Sequence, residues 1–217
     1  MPQRIAVFDV DHTITRVSTG RRLIQHGRRA GLFSIWSLLS LPYHYLRYRA
    51  GTIRIDRLAQ KIDALADNTF EDLTSVAERC FTEGVRSDIM TGAADLIRDH
   101  QDAGDIVALA TSSLALIVRP LARELGIEHV MCTELEFHDG VATGGFVRPP
   151  CFAEEKLRCV TEFVTTRGRT LDDVTFYSDS RLDLPLLRAA GRAIAVNPDR
   201  GLRRSAQREG WSILKFS

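Results

Sequence analysis

Residues 92–113 read GAADLIRDHQDAGDIVALATSS. The first half places apolar residues at helical spacing and ends on Gly104, a common helix terminator. The second half, DIVALATSS over 105–113, is a short apolar run that fits a strand buried on both faces. The same alternation continues to the C-terminus. Helices are expected over 114–125 (with Pro120 inside the pattern), 153–167, 181–190 and 199–209, and strands near 128–132 and over 173–179, 192–197 and 211–216. Strands alternating with helices predict an α/β fold with a doubly wound, mostly parallel (Rossmann-like) sheet. One stretch departs from this rhythm: LEFHDGVATGGFV over 135–147 centres on Asp139-Gly140 and predicts a hairpin.

The N-terminal half reads differently. RIAVFDV over 4–10 is an apolar strand that ends at Asp9. Residues 18–66 then read mostly as helix, with breaks near Gly31 and Gly51, and 69–84 read as a further helix. This block interrupts the alternation and predicts an inserted all-helical cap. The expected division is a core of 1–15 and 88–217 with a cap of 16–87. Within the cap, GLFSIWSLLSLPYHYL over 31–46 carries no Asp, Glu, Lys or Arg. Its sixteen residues fall short of the roughly 20 needed to span a bilayer, and Pro42 interrupts them. It is expected to pack within the cap or against a dimer partner, with contact at a membrane surface as the alternative, because arginines flank it. The chain is accordingly expected to be a monomer or homodimer without a transmembrane segment.

The 217 residues are 44% hydrophobic and 26% charged, which is the composition of an ordinary globular domain. The net charge of +1 argues against a nucleic-acid binder. That small sum hides a segregation. Between His12 and Ile55 there are eight arginines and no acid, whereas the other residues hold 21 basic groups against all 28 acids, a net −7. A basic stretch of this kind is either a solvated helix face or a surface that gathers anionic substrate. The four cysteines, Cys80, Cys132, Cys151 and Cys159, form no CxxC pair and match no zinc spacing. Free thiols and a cytoplasmic location are expected, since no signal peptide precedes the first strand.

Ligands of open α/β sheets sit at the carboxyl ends of the strands, and three strand ends here carry reactive residues. The first is Asp9-Val10-Asp11-His12-Thr13. Either carboxylate could attack phosphorus, bind a metal or move a proton. The second is Thr111-Ser112-Ser113, where a hydroxyl and backbone N–H groups could seat a phosphate, or simply cap a helix. The third is Ser178-Asp179-Ser180-Arg181-Leu182-Asp183, with two acids placed to face one hard cation such as Mg²⁺. Lys156 is one of only three lysines beside 26 arginines. A lysine could offset the charge of a carboxylate nucleophile beside a phosphate.

These four elements, in this order, resemble the haloacid dehalogenase superfamily, and within it the phosphoserine-phosphatase-like branch with a helical cap. DVDHTIT is similar to the first family motif, Thr111 to the second, Lys156 to the third and SDSRLD to the fourth. The resemblance implies a Mg²⁺-dependent phosphomonoesterase. Asp9 would form a phospho-aspartyl intermediate, Asp11 would serve as acid and base, and Lys156 would steady Asp9 and the phosphate. Thr111 and the Ser112 N–H would hold phosphoryl oxygens. The metal set would be Asp9, Asp11 through its backbone carbonyl, Asp179 and Asp183, with Asp183 binding through water or holding Lys156. Ser178, Ser180 and Leu182 depart from the family's fourth motif. Ser18 stands where phosphoserine phosphatases carry an acid for the substrate ammonium; Asp56 could replace that acid. Arg21, Arg22 and Arg28 are candidates to touch the leaving group. The implied substrate is a small phosphorylated metabolite, phosphoserine-like or histidinol phosphate-like. A lipid head-group phosphate is the alternative, and a phosphoreceiver or non-catalytic module is the reading from another class.

Overall fold

The computed structural model describes residues 4–32 and 62–216. Most of the apolar stretch (33–46), the arginines at 47, 49 and 54, and Asp56 lie outside the described residues.

Six strands form one parallel sheet: β1 (Ile5–Phe8), β2 (Ile106–Leu114), β3 (His129–Thr133), β6 (Val174–Ser178), β7 (Arg192–Val196) and β8 (Ser212–Leu214). Their spatial order is β3-β2-β1-β6-β7-β8. β1 is therefore the strand from which the chain winds outward in both directions, and the carboxyl ends of β1 and its neighbours open a crevice at this switch point. Strand β1 is wholly buried, and its side chains alternate between two cores. Ala6 and Phe8 join Leu109, Ile97 and Ile117 on one face, while Ile5 and Val7 join Ala108, Phe176, Leu186 and Leu202 on the other. Burial on both faces explains why these strands read as continuous apolar runs. The doubly wound α/β fold expected from the sequence is the fold observed.

The helices that cover the sheet are α3 (Thr91–Asp102), α4 (Ala115–Glu124), α5 (Glu154–Thr165), α6 (Leu184–Ala189) and α7 (Arg200–Glu209), and α4 runs through Pro120. Between β1 and α3 stand α1 (Thr19–Arg29) and α2 (Phe70–Cys80). The chain leaves and re-enters the sheet through two adjacent linkers. Arg16 donates its N–H to the Asp88 carbonyl at 2.7 Å, and Met90 donates to the Ile14 carbonyl at 2.9 Å.

Two expectations need correction here. The helix expected to reach 66 does not do so. Residues 62–69 hold only a 3-10 turn, Asp63–Leu65, and their backbone pairs with strand β5 (Val141–Phe146), with Ile62 bonded to Gly144, and Asp67 and Asn68 to Ala142. The inserted block is thus edged by the hairpin of β4 (Leu135–His138) and β5, so its surroundings are not all-helical. The helix expected over 69–84 stays α-helical only to Cys80, then widens into a π-helical turn over Phe81–Val85. Gly84 sits in that turn, where a Cβ would lie 3.4–3.5 Å from Arg22 and His26 of α1. The Asp139-Gly140 hairpin turn forms as read, with φ of 49° and 79°, the left-handed pair that a two-residue hairpin loop requires. Among the described residues no helix is long and apolar enough to cross a membrane.

Gly191 precedes β7, and a Cβ there would meet the Asp172 carbonyl oxygen at 2.1 Å, a backbone atom that cannot swing aside. Gly191→Ala is expected to destabilise the fold by about 1–3 kcal/mol, read as a lower urea midpoint. A midpoint unchanged from the parent would contradict this packing.

Candidate active site

The loop after β1 turns on one carbonyl. The N–H groups of Thr13, Ile14 and Thr15 all point to the Val10 oxygen, at 3.2, 2.8 and 3.1 Å. His12 takes a left-handed φ of 61° to make the turn, an uncommon conformation for a residue other than glycine. This tight turn follows directly on Asp9 and contains Asp11, whose carboxylates go to different partners.

Asp9 is buried, and its Oδ1 accepts from the Lys156 ammonium at 2.9 Å. The same ammonium donates to Asp183 Oδ2 at 2.8 Å, and the Ser178 hydroxyl donates to that oxygen at 2.7 Å. Lys156 is only 3% exposed, so this is a cation held inside the protein between two carboxylates. It rises from the first turn of α5, entered through Ala153 at φ 49°. A non-glycine residue held there is strained, and such strain tends to gather at functional sites.

The electrostatics follow from burial first and from the neighbouring charges second. Burial pushes Asp9 up to about 7, with Asp183 and Asp11 adding to the rise and Lys156 opposing it. Burial also pushes Asp179 up to about 8, again with repulsion from Asp9 and Asp183 and relief from Lys156. For Lys156 burial favours the neutral amine, but attraction to Asp183 and Asp9 prevails and holds the ammonium charged. Three acids therefore share one cation.

Asp11 points elsewhere. Its Oδ1 accepts from the N–H and the hydroxyl of Thr19, both at 2.8 Å, and its Oδ2 accepts from Ser18 at 2.9 Å. Ser113 lies 3.3 Å from Oδ2 and 2.7 Å from the Thr19 hydroxyl. Each hydroxyl has one proton. With that of Thr19 on Asp11, the shorter contact assigns the Ser113 proton to Thr19. Asp11 thus caps the N-terminus of α1, a helix with no acid in its first turn and no side-chain cap from Ser18.

The Thr111-Ser112-Ser113 segment is not a helix cap. It lies in β2, which runs to Leu114 with a register irregularity against β3 after Ala110. Thr111 is buried, and its hydroxyl oxygen accepts from the Ser113 N–H at 3.2 Å. Ser112 is exposed.

Of the three arginines named as candidates for the leaving group, one is paired and two are exposed. Arg22 grips Asp88 with two bonds of 2.6 and 2.8 Å, tying α1 to the re-entry linker, so its guanidinium is committed to that pair. Arg21 and Arg28 are exposed on α1. Of the carboxylates read as a metal set, two are turned to protein partners. The Asp183 carboxylate is turned onto Lys156 and Ser178, and the Asp11 carboxylate onto α1. Among the described residues no three His, Cys, Asp or Glu side chains converge as a preformed cage.

Sequence reasoning did not single out Ser113 and Thr19. Alternation along a strand offered the signal for Ser113, because Thr111 and Ser113 face one side and Ser112 the other. For Thr19 the signal was a helix start without its own acid.

The profile of the haloacid dehalogenase-like hydrolase family matches residues 6–188. A probable phosphatase of Mycobacterium tuberculosis is 34% identical over 216 residues, covering 98% of this chain and 75% of the relative. A histidinol-phosphatase of Neisseria meningitidis serogroup C is 30% identical over 220 residues and covers 99% of both chains. A crystal structure of a protein of unknown function from Bordetella pertussis Tohama I superposes with a TM-score of 0.88 at 31% identity over 99% of both chains. A substrate-bound phosphoserine phosphatase shares the fold at a TM-score of 0.72 and 18% identity, over 99% of this chain and 93% of that one. The buried lysine between two aspartates, standing in a matched stretch that spans most of the molecule, places this chain in the haloacid dehalogenase-like hydrolase family.

Proposed function

We propose that this chain is a phosphomonoesterase that works through a phospho-aspartyl intermediate at Asp9. The observation that carries the reading is the buried Lys156 bridge between Asp9 and Asp183. Among the described contacts Asp9 accepts through Oδ1, which leaves Oδ2 to attack phosphorus. Lys156 fixes the carboxylate and lowers the repulsion between it and an incoming phosphate. Thr111 is placed to donate to a phosphoryl oxygen, because its own oxygen accepts from the backbone while its proton remains to be used. Asp11 would protonate the departing alcohol and then take a proton from water, once its hydrogen bonds to α1 rearrange. We assign 16–87 as the cap, inserted between the paired linkers at Arg16–Asp88 and Ile14–Met90.

The donor set suits a Mg²⁺ ion. Its oxygens are hard, and the acids outnumber the single ammonium, so repulsion among them adds to the burial that pushes Asp9 and Asp179 up. Asp9, Asp179 and the backbone carbonyl of Asp11 would hold the ion, with Asp183 acting through Lys156. When bound, Mg²⁺ would supply the positive charge that screens one anion from another.

The substrate we infer is a small phosphorylated metabolite. The Neisseria relative supports a histidinol phosphate-like compound. Ser18 donates to Asp11, so at this position there is no carboxylate to receive a substrate ammonium, a group that phosphoserine and histidinol phosphate both carry. The preference rests on the Neisseria relative: a panel of phosphomonoesters should give a higher kcat/KM for histidinol phosphate than for phosphoserine. The reverse order would overturn the substrate assignment and leave the reaction class intact.

Asp9→Asn is expected to lower kcat on an aryl phosphate by roughly a thousandfold or more while circular dichroism stays that of the parent. Turnover within tenfold of the parent would remove Asp9 as the nucleophile.

The carboxylates also set a pH dependence. Asp179 has a folded-state pKa of about 8 against 3.8 for a free side chain. The unfolded chain releases this proton first, so the group costs stability that grows between about pH 4 and pH 8 and is complete above that. In EDTA, Asp179→Asn should melt above the parent at pH 8 and level with it at pH 4. Adding Mg²⁺ should stabilise the parent more than the variant. A variant that melts below the parent at pH 8 in EDTA would contradict the crowded-carboxylate account.

A further inference from the structure

Two buried hydroxyls, 94 positions apart in the chain, meet beside Asp11. Thr19 opens α1, and Ser113 lies near the end of β2. Their oxygens stand 2.7 Å apart. Neither belongs to the Lys156 bridge, yet both touch the acid.

The contacts fix the direction of each proton. Asp11 Oδ1 has two lone pairs, and the N–H and O–H of Thr19 take both, each at 2.8 Å. The Thr19 hydroxyl has then spent its proton, so its oxygen accepts from Ser113. Ser113 is held in turn by its own N–H, which donates to the Thr111 oxygen at 3.2 Å. Asp11 Oδ2 is left with the Ser18 hydroxyl at 2.9 Å and the longer approach of Ser113 at 3.3 Å. A transferable proton therefore has room on Oδ2 and none on Oδ1. Ser18 is half-buried, whereas Thr19 is wholly buried. The bond to Ser18 is thus the one open to competition from water or substrate.

We propose that Thr19 and Ser113 are positioning residues for acid catalysis by Asp11. Thr19 anchors Oδ1, Ser113 fixes Thr19 to the sheet, and Oδ2 is thereby the oxygen that delivers the proton. The proposal rests on the phosphatase reading. In the step it serves, the bond between Asp9 Oδ2 and phosphorus forms and the ester P–O bond breaks. The electron pair of the broken bond goes to the ester oxygen, which takes the proton that Asp11 Oδ2 carries and departs as a neutral alcohol. Turning Oδ2 toward that oxygen breaks the Ser18 bond and keeps both bonds from Thr19. Orientation matters here because a displacement of about 1 Å can cost roughly a hundredfold in rate. Strand β2 then carries both the hydroxyl placed for the phosphate, Thr111, and, two residues on along the same face, the one that steadies the acid.

The test compares kcat/KM, in Mg²⁺, for two esters of similar size. 4-Nitrophenyl phosphate releases a stabilised phenolate that needs no proton; benzyl phosphate releases an alkoxide that does. Since kcat/KM ends at the first departure of the leaving group, it reads the acid and not the later attack of water. Thr19→Val keeps the shape and the N–H and removes the hydroxyl. It should lower kcat/KM for benzyl phosphate by about tenfold to a hundredfold, and for 4-nitrophenyl phosphate by less than about threefold. Ser113→Ala should move the ratio of the two esters in the same direction by a smaller factor. Thr19→Ser, which keeps the hydroxyl, should restore the parent's ratio. Equal losses on both esters would overturn the proposal, because a merely structural defect does not distinguish leaving groups. So would faster cleavage of benzyl phosphate, which would mean that these bonds hold Asp11 back. Where circular dichroism shows Thr19→Val unfolded, Ser113→Ala decides by the same ratio. A parent that cleaves both esters, with variants that keep its ratio, refutes this proposal and leaves the phosphatase reading standing. A parent that cleaves neither ester refutes that reading.

Discussion

A lysine ammonium buried between two aspartates is the constraint on which the rest of this site depends. An unpaired charge at that depth would cost several kcal/mol, and removing one partner of a buried pair typically costs about 3–5 kcal/mol. Lys156 meets the condition by donating to Asp9 and Asp183, while Ser178 completes the hydrogen bonding of Asp183. The bridge joins the carboxyl end of β1, the start of α5 and the turn after β6. These are three segments that only the parallel sheet brings together. The fold and the site are thus one arrangement: displacing any of the three strands a charge.

The bridge does not neutralise the crevice. Asp179 adds a further acid, and Asp9 and Asp179 stand above ordinary carboxylates, chiefly through burial and further through repulsion among these acids. A protein optimised only for stability would not gather these groups, and sites that run against stability are commonly functional. Asp11 stands apart from this crowd. It caps α1, the first helix of the inserted block, so the acid and that helix are held by the same hydrogen bonds. Arg22 and Asp88 fasten the same helix to the returning linker.

Much of this was legible in the sequence for physical reasons. A strand buried on both faces must be apolar throughout, so β1, β2, β6 and β7 announced themselves, and Asp9 and Asp179 followed as the polar residues where they end. Lys156 stood out because arginine carries nearly all the other positive charge. What escaped depended on partners distant in the chain. Arg22 reads as a free basic residue until Asp88, 66 positions away, is placed beside it. Ser112 and Ser113 are equivalent letters until the extension of β2 turns one outward and the other toward Asp11. At Gly84 the π-helical turn lies close against Arg22 and His26 of α1, neighbours that no local propensity contains. The pairing of 62–69 with β5 was hidden for the same reason.

The central claim is that Asp9, oriented by Lys156, takes the phosphoryl group. An acyl phosphate can be reduced by borohydride, which converts the phosphorylated aspartate to homoserine. Borohydride added during steady turnover of an aryl phosphate, followed by peptide mass spectrometry, reads this directly. Homoserine at position 9 that appears only when substrate is present is the predicted result. Steady turnover with an unmodified Asp9, or homoserine at another aspartate, would contradict the account.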